Sequence, residues 1–154
     1  MSALLIRDGR LEDLGAVTRL EERCFSDPWS PANLLGELQP DILRLPLVAE
    51  LDGVVCGYLM AWRVADQLHI LNIAAAPQRR RCGVGTALLR EAARRGLQTG
   101  QTELTLEVRD SNRGARAFYR RHRFAETGLR RGYYQDNGED AVIMTARSED
   151  VLAG

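Results

Sequence analysis

The chain has 154 residues, 45% of them hydrophobic and 27% charged, with 21 basic residues set against 21 acidic ones. That length gives one domain room for a core without metal or disulfide staples, and the composition excludes a disordered or low-complexity chain. The charge balance gives no general attraction to nucleic acid or to a membrane surface, so any anion must be held by a local patch.

The N-terminal "MSALLIRDGRLEDL" lacks the apolar stretch of a signal peptide, and no later run approaches the ~20 residues of a membrane span. Cys24, Cys56 and Cys82 are widely spaced and odd in number, which fits a reducing compartment, so a cytoplasmic protein is expected. All 21 basic residues are arginine, and the missing lysine removes Schiff-base chemistry. His69 and His122 have no cysteine or carboxylate at ligand spacing, so no metal site is expected.

In chain order, residues 3–7 read as a strand, and residues 11–25 read as a helix with Leu14, Val17, Leu20 and Cys24 on one face. Ser30-Pro31 is an N-cap followed by proline at the first helical position, opening a short helix to about residue 38. Residues 45–51 and 54–64 read as strands joined by a hairpin turn at Asp52-Gly53. Residues 68–75 form a strand that is apolar on both faces and therefore central. A helix follows over residues 83–97, with Val84, Leu88 and Ala92 in register. In "TELTLEV", residues 102–108, Leu104, Leu106 and Val108 share one face while Glu103, Thr105 and Glu107 share the other. Ser111 or Asn112 caps a helix to about residue 121, and two last strands flank "DNGED", whose Asn137-Gly138 is a hairpin signal. This order predicts a mixed sheet with helices on both faces.

Between the central strand and the helix after it lies "PQRRRCGVG". A helix N-terminus presents unpaired N–H groups and about half a positive charge, glycine admits close approach and positive φ, and arginine adds bidentate charge. The corner suits a phosphate or pyrophosphate. Equally, Gly83 and Gly85 make a tight turn and the arginines are solvated surface. There is neither the G-K-[ST] of a triphosphate loop nor a third glycine at dinucleotide spacing.

"RRCGVGTALL" resembles the [Q/R]-x-x-G-x-[G/A] signature of the GNAT acetyltransferases, and the element order matches their fold. "FSDPWS", "LNIAAAP", "LEVRDSNRGARAFYRRHRF", "RRGYY" and "EDAVIM" are similar to the bacterial RimI-type enzymes, which acetylate the N-terminal alanine of a small-subunit ribosomal protein. The resemblance reaches to about residue 147, setting residues 1–147 as the expected domain and 148–154 as a tail. It implies an α/β (α+β) fold, a single domain whose mixed central sheet has about seven strands, and acetyl-coenzyme A as co-substrate without a metal. It also implies that Arg80, Arg81, Cys82, Gly83, Val84, Gly85 and Thr86 hold the pyrophosphate, and that Ile73, Ala74, Ala75 and Asn112 contact the cofactor. Cys82 and the run of arginines depart from the usual loop, which works chiefly through its backbone.

Acetyl transfer from a thioester to an amine needs a neutral nucleophile, a polarised carbonyl and a proton for the thiolate. The resemblance makes Glu107 the base, directly or through water; spacing alone favours instead a surface carboxylate paired with Arg109. Tyr119, about two turns along the next helix, is by resemblance the acid for the sulfur, its alternative being simple packing of Phe118-Tyr119 on the sheet. Trp29, Tyr133 and Tyr134 resemble acceptor-groove residues; otherwise Trp29 is a core plug and the tyrosines belong to an aromatic strand. The leading expectation is direct attack by a protein α-amine in a ternary complex. The alternatives are an acetyltransferase for small amines and a non-catalytic coenzyme A module. A protein N-terminus is the expected partner, without nucleic acid or membrane. Some RimI-type enzymes associate with tRNA-modification proteins, and no residue decides whether this one does.

Overall fold

Apolar runs, alternating in some strands and continuous in others, supply most of the strands, and apolar residues at helical spacing supply the helices between them. The computed structural model describes residues 3–79 and 82–154. The strands are β1 (Leu4–Asp8), β2 (Arg44–Leu51), β3 (Val54–Val64), β4 (Gln67–Ala75), β5 (Glu103–Arg109), β6 (Ala125–Arg130) and β7 (Ala141–Arg147). The helices are α1 (Leu14–Cys24), α2 (Pro31–Leu38), α3 (Val84–Gln98), α4 (Arg113–Arg121) and α5 (Ser148–Ala153). The strands form one sheet in the order β1-β2-β3-β4-β5-β7-β6. It is mixed, because β4 and β5 run parallel while β1–β2, β2–β3, β5–β7 and β6–β7 are antiparallel. β4 takes the central place that its two apolar faces require.

The elements gather in two compact units, Met1–Trp62 with Leu71–Ala92, and Arg63–Ile70 with Ala93–Gly154. In the first, Asp52 and Gly53 turn the β2–β3 hairpin with φ of 54° and 78°, the left-handed pair a two-residue turn needs. The Ser30 side chain accepts from Asn33 N–H, and Pro31 opens α2 behind it. The helix expected over residues 11–25 is split. Asp13 Oδ2 accepts from Arg10 N–H at 2.8 Å, and its two oxygens accept from Arg7 at 2.8 Å each, so Leu11–Asp13 tightens into a 3-10 turn before α1 starts. α1 then ends at Cys24, with Phe25 already extended.

Val17, Leu20, Leu34, Leu47, Leu59 and Met60 are buried in this unit together with a carboxylate. Glu21, 1% exposed, stands one turn beyond Val17 on the apolar face of α1. It accepts from the Tyr58 hydroxyl, from Asn72 Nδ2 at 2.6 Å and from Trp29 N–H at 2.8 Å. Asn72 Oδ1 in turn accepts from Ile73 N–H at 3.1 Å. One buried side chain thus ties the segment after α1 to the C-terminal half of β4. Near that end of β4, a Cβ at Gly57 would come within 2.6 Å of Val84 Cγ1 and 2.8 Å of the Ala74 carbonyl. Only glycine on β3 lets the first turn of α3 lie so close to the sheet.

In the second unit Leu104, Leu106 and Val108 of β5 are buried, as are Phe124, Val142 and Met144. α5 lies within the segment expected as a tail, with Val151 1% exposed. Ser148 N–H donates to the Thr102 carbonyl at 2.9 Å and Ser148 Oγ to that of Gln101 at 3.0 Å, which fixes α5 to the start of β5. The Asn137-Gly138 signal lies inside a loop over residues 131–140, where Gly138 N–H donates to the Tyr134 carbonyl at 2.7 Å. The loop expected over residues 136–140 is therefore corrected to a longer connection, and Tyr133 and Tyr134 belong to that loop and not to a strand.

Two stability changes follow from the first unit. Gly57→Ala overpacks a contact in which a carbonyl oxygen cannot rotate away, costing about 1–3 kcal/mol, read as a fall in melting temperature of roughly 3–10 °C. Glu21→Ala strands three donors at about 1–3 kcal/mol each, so urea denaturation should show a loss of about 3 kcal/mol or more, with Glu21→Gln in between.

Candidate active site

The alternation of β5 carries Glu107 to the face opposite Leu104, Leu106 and Val108, where its side chain is 13% exposed. β4 runs parallel beside it with His69 opposite Thr105, so the imidazole reaches one pleat forward on the same face. His69 Nε2 lies 2.6 Å from Glu107 Oε2, and Arg130 Nε of β6 lies 3.3 Å from Oε1. The His69 hydrogen bond, opposed by burial and helped by the nearby charges, holds the Glu107 carboxyl below the usual carboxylate range. Glu107 is therefore an acceptor at neutral pH, and His69 Nε2 carries the hydrogen between them. Glu103, four residues earlier on the same face, accepts from Gln67 Nε2 at 2.7 Å instead.

The expected alternative pairing of Glu107 with Arg109 is absent. Arg109 turns to the 131–140 loop, where its Nη1 and Nη2 donate to the two oxygens of Asp136 at 3.1 and 3.0 Å. Its guanidinium also lies 4.0 Å from the centre of the Tyr134 ring. Glu139 accepts from Ser111 N–H at 2.7 Å and Asp140 from Gly132 N–H at 2.8 Å, so the loop is fastened to the end of β5 and the start of α4. Burial raises the Tyr134 hydroxyl to about 12. Tyr133 packs edge-on against Tyr134 at 5.1 Å, is 46% exposed, and has Arg130 5.8 Å from its ring centre. Through Arg130 and Arg109, Glu107 and the two tyrosines form one cluster.

Asn112 caps α4, its Oδ1 accepting from Ala115 N–H at 3.1 Å. Tyr119 is 6% exposed and packs on Phe118 and Phe124 with ring centres 5.3 and 5.4 Å away. The packing role is thus present, yet its hydroxyl makes no hydrogen bond among the described residues, and burial raises its pKa so that the phenol keeps its proton.

In the first unit, Ala74 is buried while Ile73 and Ala75 are half-buried at the end of β4. Cys24 Sγ donates to the Ala75 carbonyl at 3.3 Å, and Ala76 N–H donates to that of Cys56 at 2.7 Å. Arg80 and Arg81 lie outside the described residues. Cys82 is exposed, its N–H donating to the Arg79 carbonyl at 3.0 Å. Gly83 has φ +76°, with nothing within 4 Å of where a Cβ would stand, and Ala87 N–H returns to its carbonyl at 2.9 Å. Val84 is buried; Gly85 and Thr86 follow, half-buried, in the first turn of α3. Trp29 is half-buried and is tied to Asn72 and Ile73 through Glu21.

Sequence reasoning passed over His69, Arg130, Glu21 and Asn72. Glu21 left a signal, a carboxylate at an apolar position of an amphipathic helix. His69 left only its side of the strand, because its partner depends on the β4–β5 register.

The acetyltransferase (GNAT) family model matches residues 14–124. A Bacillus subtilis (strain 168) protein, provisionally named a [ribosomal protein bS18]-alanine N-acetyltransferase, is 38% identical over 90% of this chain and 92% of its own length. The [ribosomal protein bS18]-alanine N-acetyltransferase of Escherichia coli (strain K12) is 34% identical over 86% of this chain and 89% of its own length. The crystal structure of the ribosomal-protein-S18-alanine N-acetyltransferase from Escherichia coli superposes with a TM-score of 0.85 at 31% identity, covering 94% of each chain. With the family model spanning most of the chain and relatives matched nearly end to end, this protein belongs to the GNAT acetyltransferase family.

Proposed function

We propose that this chain is an acetyl-coenzyme A-dependent Nα-acetyltransferase whose acceptor is the N-terminal alanine of ribosomal protein bS18. The observation that carries the reading is Glu107, a half-buried carboxylate kept ionised beside an aromatic loop, in a chain similar over most of its length to an enzyme named for that acceptor. Acetyl-coenzyme A supplies an acetyl group activated as a thioester. The residues suit it: Gly83 leaves its corner open, and the Tyr119 hydroxyl has no protein partner among the described residues.

In this reading Arg80 to Thr86 hold the pyrophosphate, and Ile73 to Ala75 with Asn112 hold the remainder of the cofactor. Trp29, Tyr133 and Tyr134 receive the peptide. Glu107 takes the proton that the acceptor ammonium sheds, directly or through water, and Tyr119 donates a proton to the leaving sulfur. A carboxylate held low is a weak base, which bears on the choice of acceptor. An α-ammonium near pKa 8 gives up its proton about 2.4 units more readily than a lysine near 10.4, a saving of about 3 kcal/mol. The site therefore suits an N-terminus better than a lysine side chain. Because Glu107 is ionised well below neutrality, the rise of kcat/KM up to about pH 8 should follow the amine.

The test is steady-state transfer to a bS18 N-terminal peptide and to a panel of small amines. Glu107→Gln should lower kcat by about a hundredfold or more and Tyr119→Phe by about tenfold or more, with acetyl-coenzyme A affinity by calorimetry retained. Glu103→Gln should stay within about threefold of wild type. Turnover confined to small amines would overturn the acceptor, and full activity of Glu107→Gln would overturn the base.

A further inference from the structure

The two oxygens of Glu107 are not equivalent. Oε2 sits 2.6 Å from His69 Nε2, a short charge-assisted contact, whereas Oε1 has Arg130 Nε at 3.3 Å, beyond the range of a strong hydrogen bond. The groups facing this carboxylate are His69 from β4, Arg130 from β6 and Tyr134 from the 131–140 loop, while Ile143 is opposite it on β7. His69 is 28% exposed and lies outside the set of fully buried side chains. Its partner lies 38 residues away in the chain, and only the parallel β4–β5 pairing brings the two together.

We propose that His69 is a positioning residue for acetyl transfer: by donating Nε2–H to Glu107 Oε2 it locks the carboxylate rotamer and leaves Oε1 to receive the acceptor's proton. This rests on Glu107 as the base. The imidazole keeps its own hydrogen throughout, and the proton removed from the amine goes to Oε1. Freely rotating carboxylates lose part of the rate that orientation supplies, so the lock acts on kcat and not on cofactor binding. The same bond is the largest influence holding Glu107 ionised, so removing it moves the acid limb of kcat to higher pH. Gln67 and Glu103, two residues before His69 and four before Glu107 on the same face, supply an internal control.

The experiment is a double-mutant cycle in the full chain, with the bS18 peptide as acceptor. His69→Leu should lower kcat about tenfold and shift the acid limb upward, with acetyl-coenzyme A affinity unchanged. His69→Gln places an N–H near the position of Nε2 and should recover to within about threefold of wild type; His69→Asn, too short to reach Oε2, should behave as the leucine variant. In the Glu107→Gln background His69→Leu should cost nothing further, and Gln67→Leu should leave kcat and the pH profile in place. An unchanged kcat and profile in His69→Leu and His69→Asn, or an equal loss with and without Glu107, overturns the proposal while leaving Glu107 as base. Wild-type turnover by Glu107→Gln alone overturns the base instead.

Discussion

Strand β5 sets the terms for everything around it. Its period of two sends Leu104, Leu106 and Val108 inward and leaves Glu103, Thr105 and Glu107 together on the other face. A slip of one residue against β4 or β7 would bury three polar side chains and expose three apolar ones, so the register that builds the core also decides where the carboxylate stands. β7 fixes that register over seven paired positions, and Ser148 at the start of α5 fastens the strand's beginning. Chemistry and folding therefore draw on the same constraint.

Glu21 and Glu107 show how surroundings assign a role to one residue type. Glu21 is sealed among neutral donors, Tyr58, Asn72 and the Trp29 amide, with no cation at its oxygens among the described residues. It acts as a staple, since its acceptors are spent on the protein. Glu107 meets a histidine on one oxygen and an arginine, more loosely, on the other, and keeps a path to solvent. A proton can reach it. Arg109 does not compete for that carboxylate, because Asp136, Glu139 and the Tyr134 face hold it to the loop.

Local devices were legible in the sequence because each is complete within a few residues. Asp52-Gly53 turns the hairpin, Ser30 and Asn112 cap their helices, and Gly83 takes the positive φ that its corner called for. The alternation of β5 also placed Glu107 on the correct face. What escaped depends on distant partners. His69 meets Glu107 through a parallel pairing, Gly57 matters because Val84 arrives beside it, and the 131–140 loop is shaped by Arg109 and Ser111 as much as by Asn137-Gly138. α5 escaped because six residues with little apolar spacing give no periodic signal, although Val151 buries itself once the segment docks.

β6 ends the sheet with all six of its residues exposed, and its pairing with β7 shifts between Glu126 and Gly128. Both Arg116 and Arg120 of α4 reach Glu126, placing charge along that margin. A flat, apolar final strand would invite a second copy to add its own strand and start a growing stack. The irregular pairing and the fixed charges spoil that template. The molecule thus discourages polymerisation at its outermost strand without covering it, leaving the adjoining loop open to the solvent.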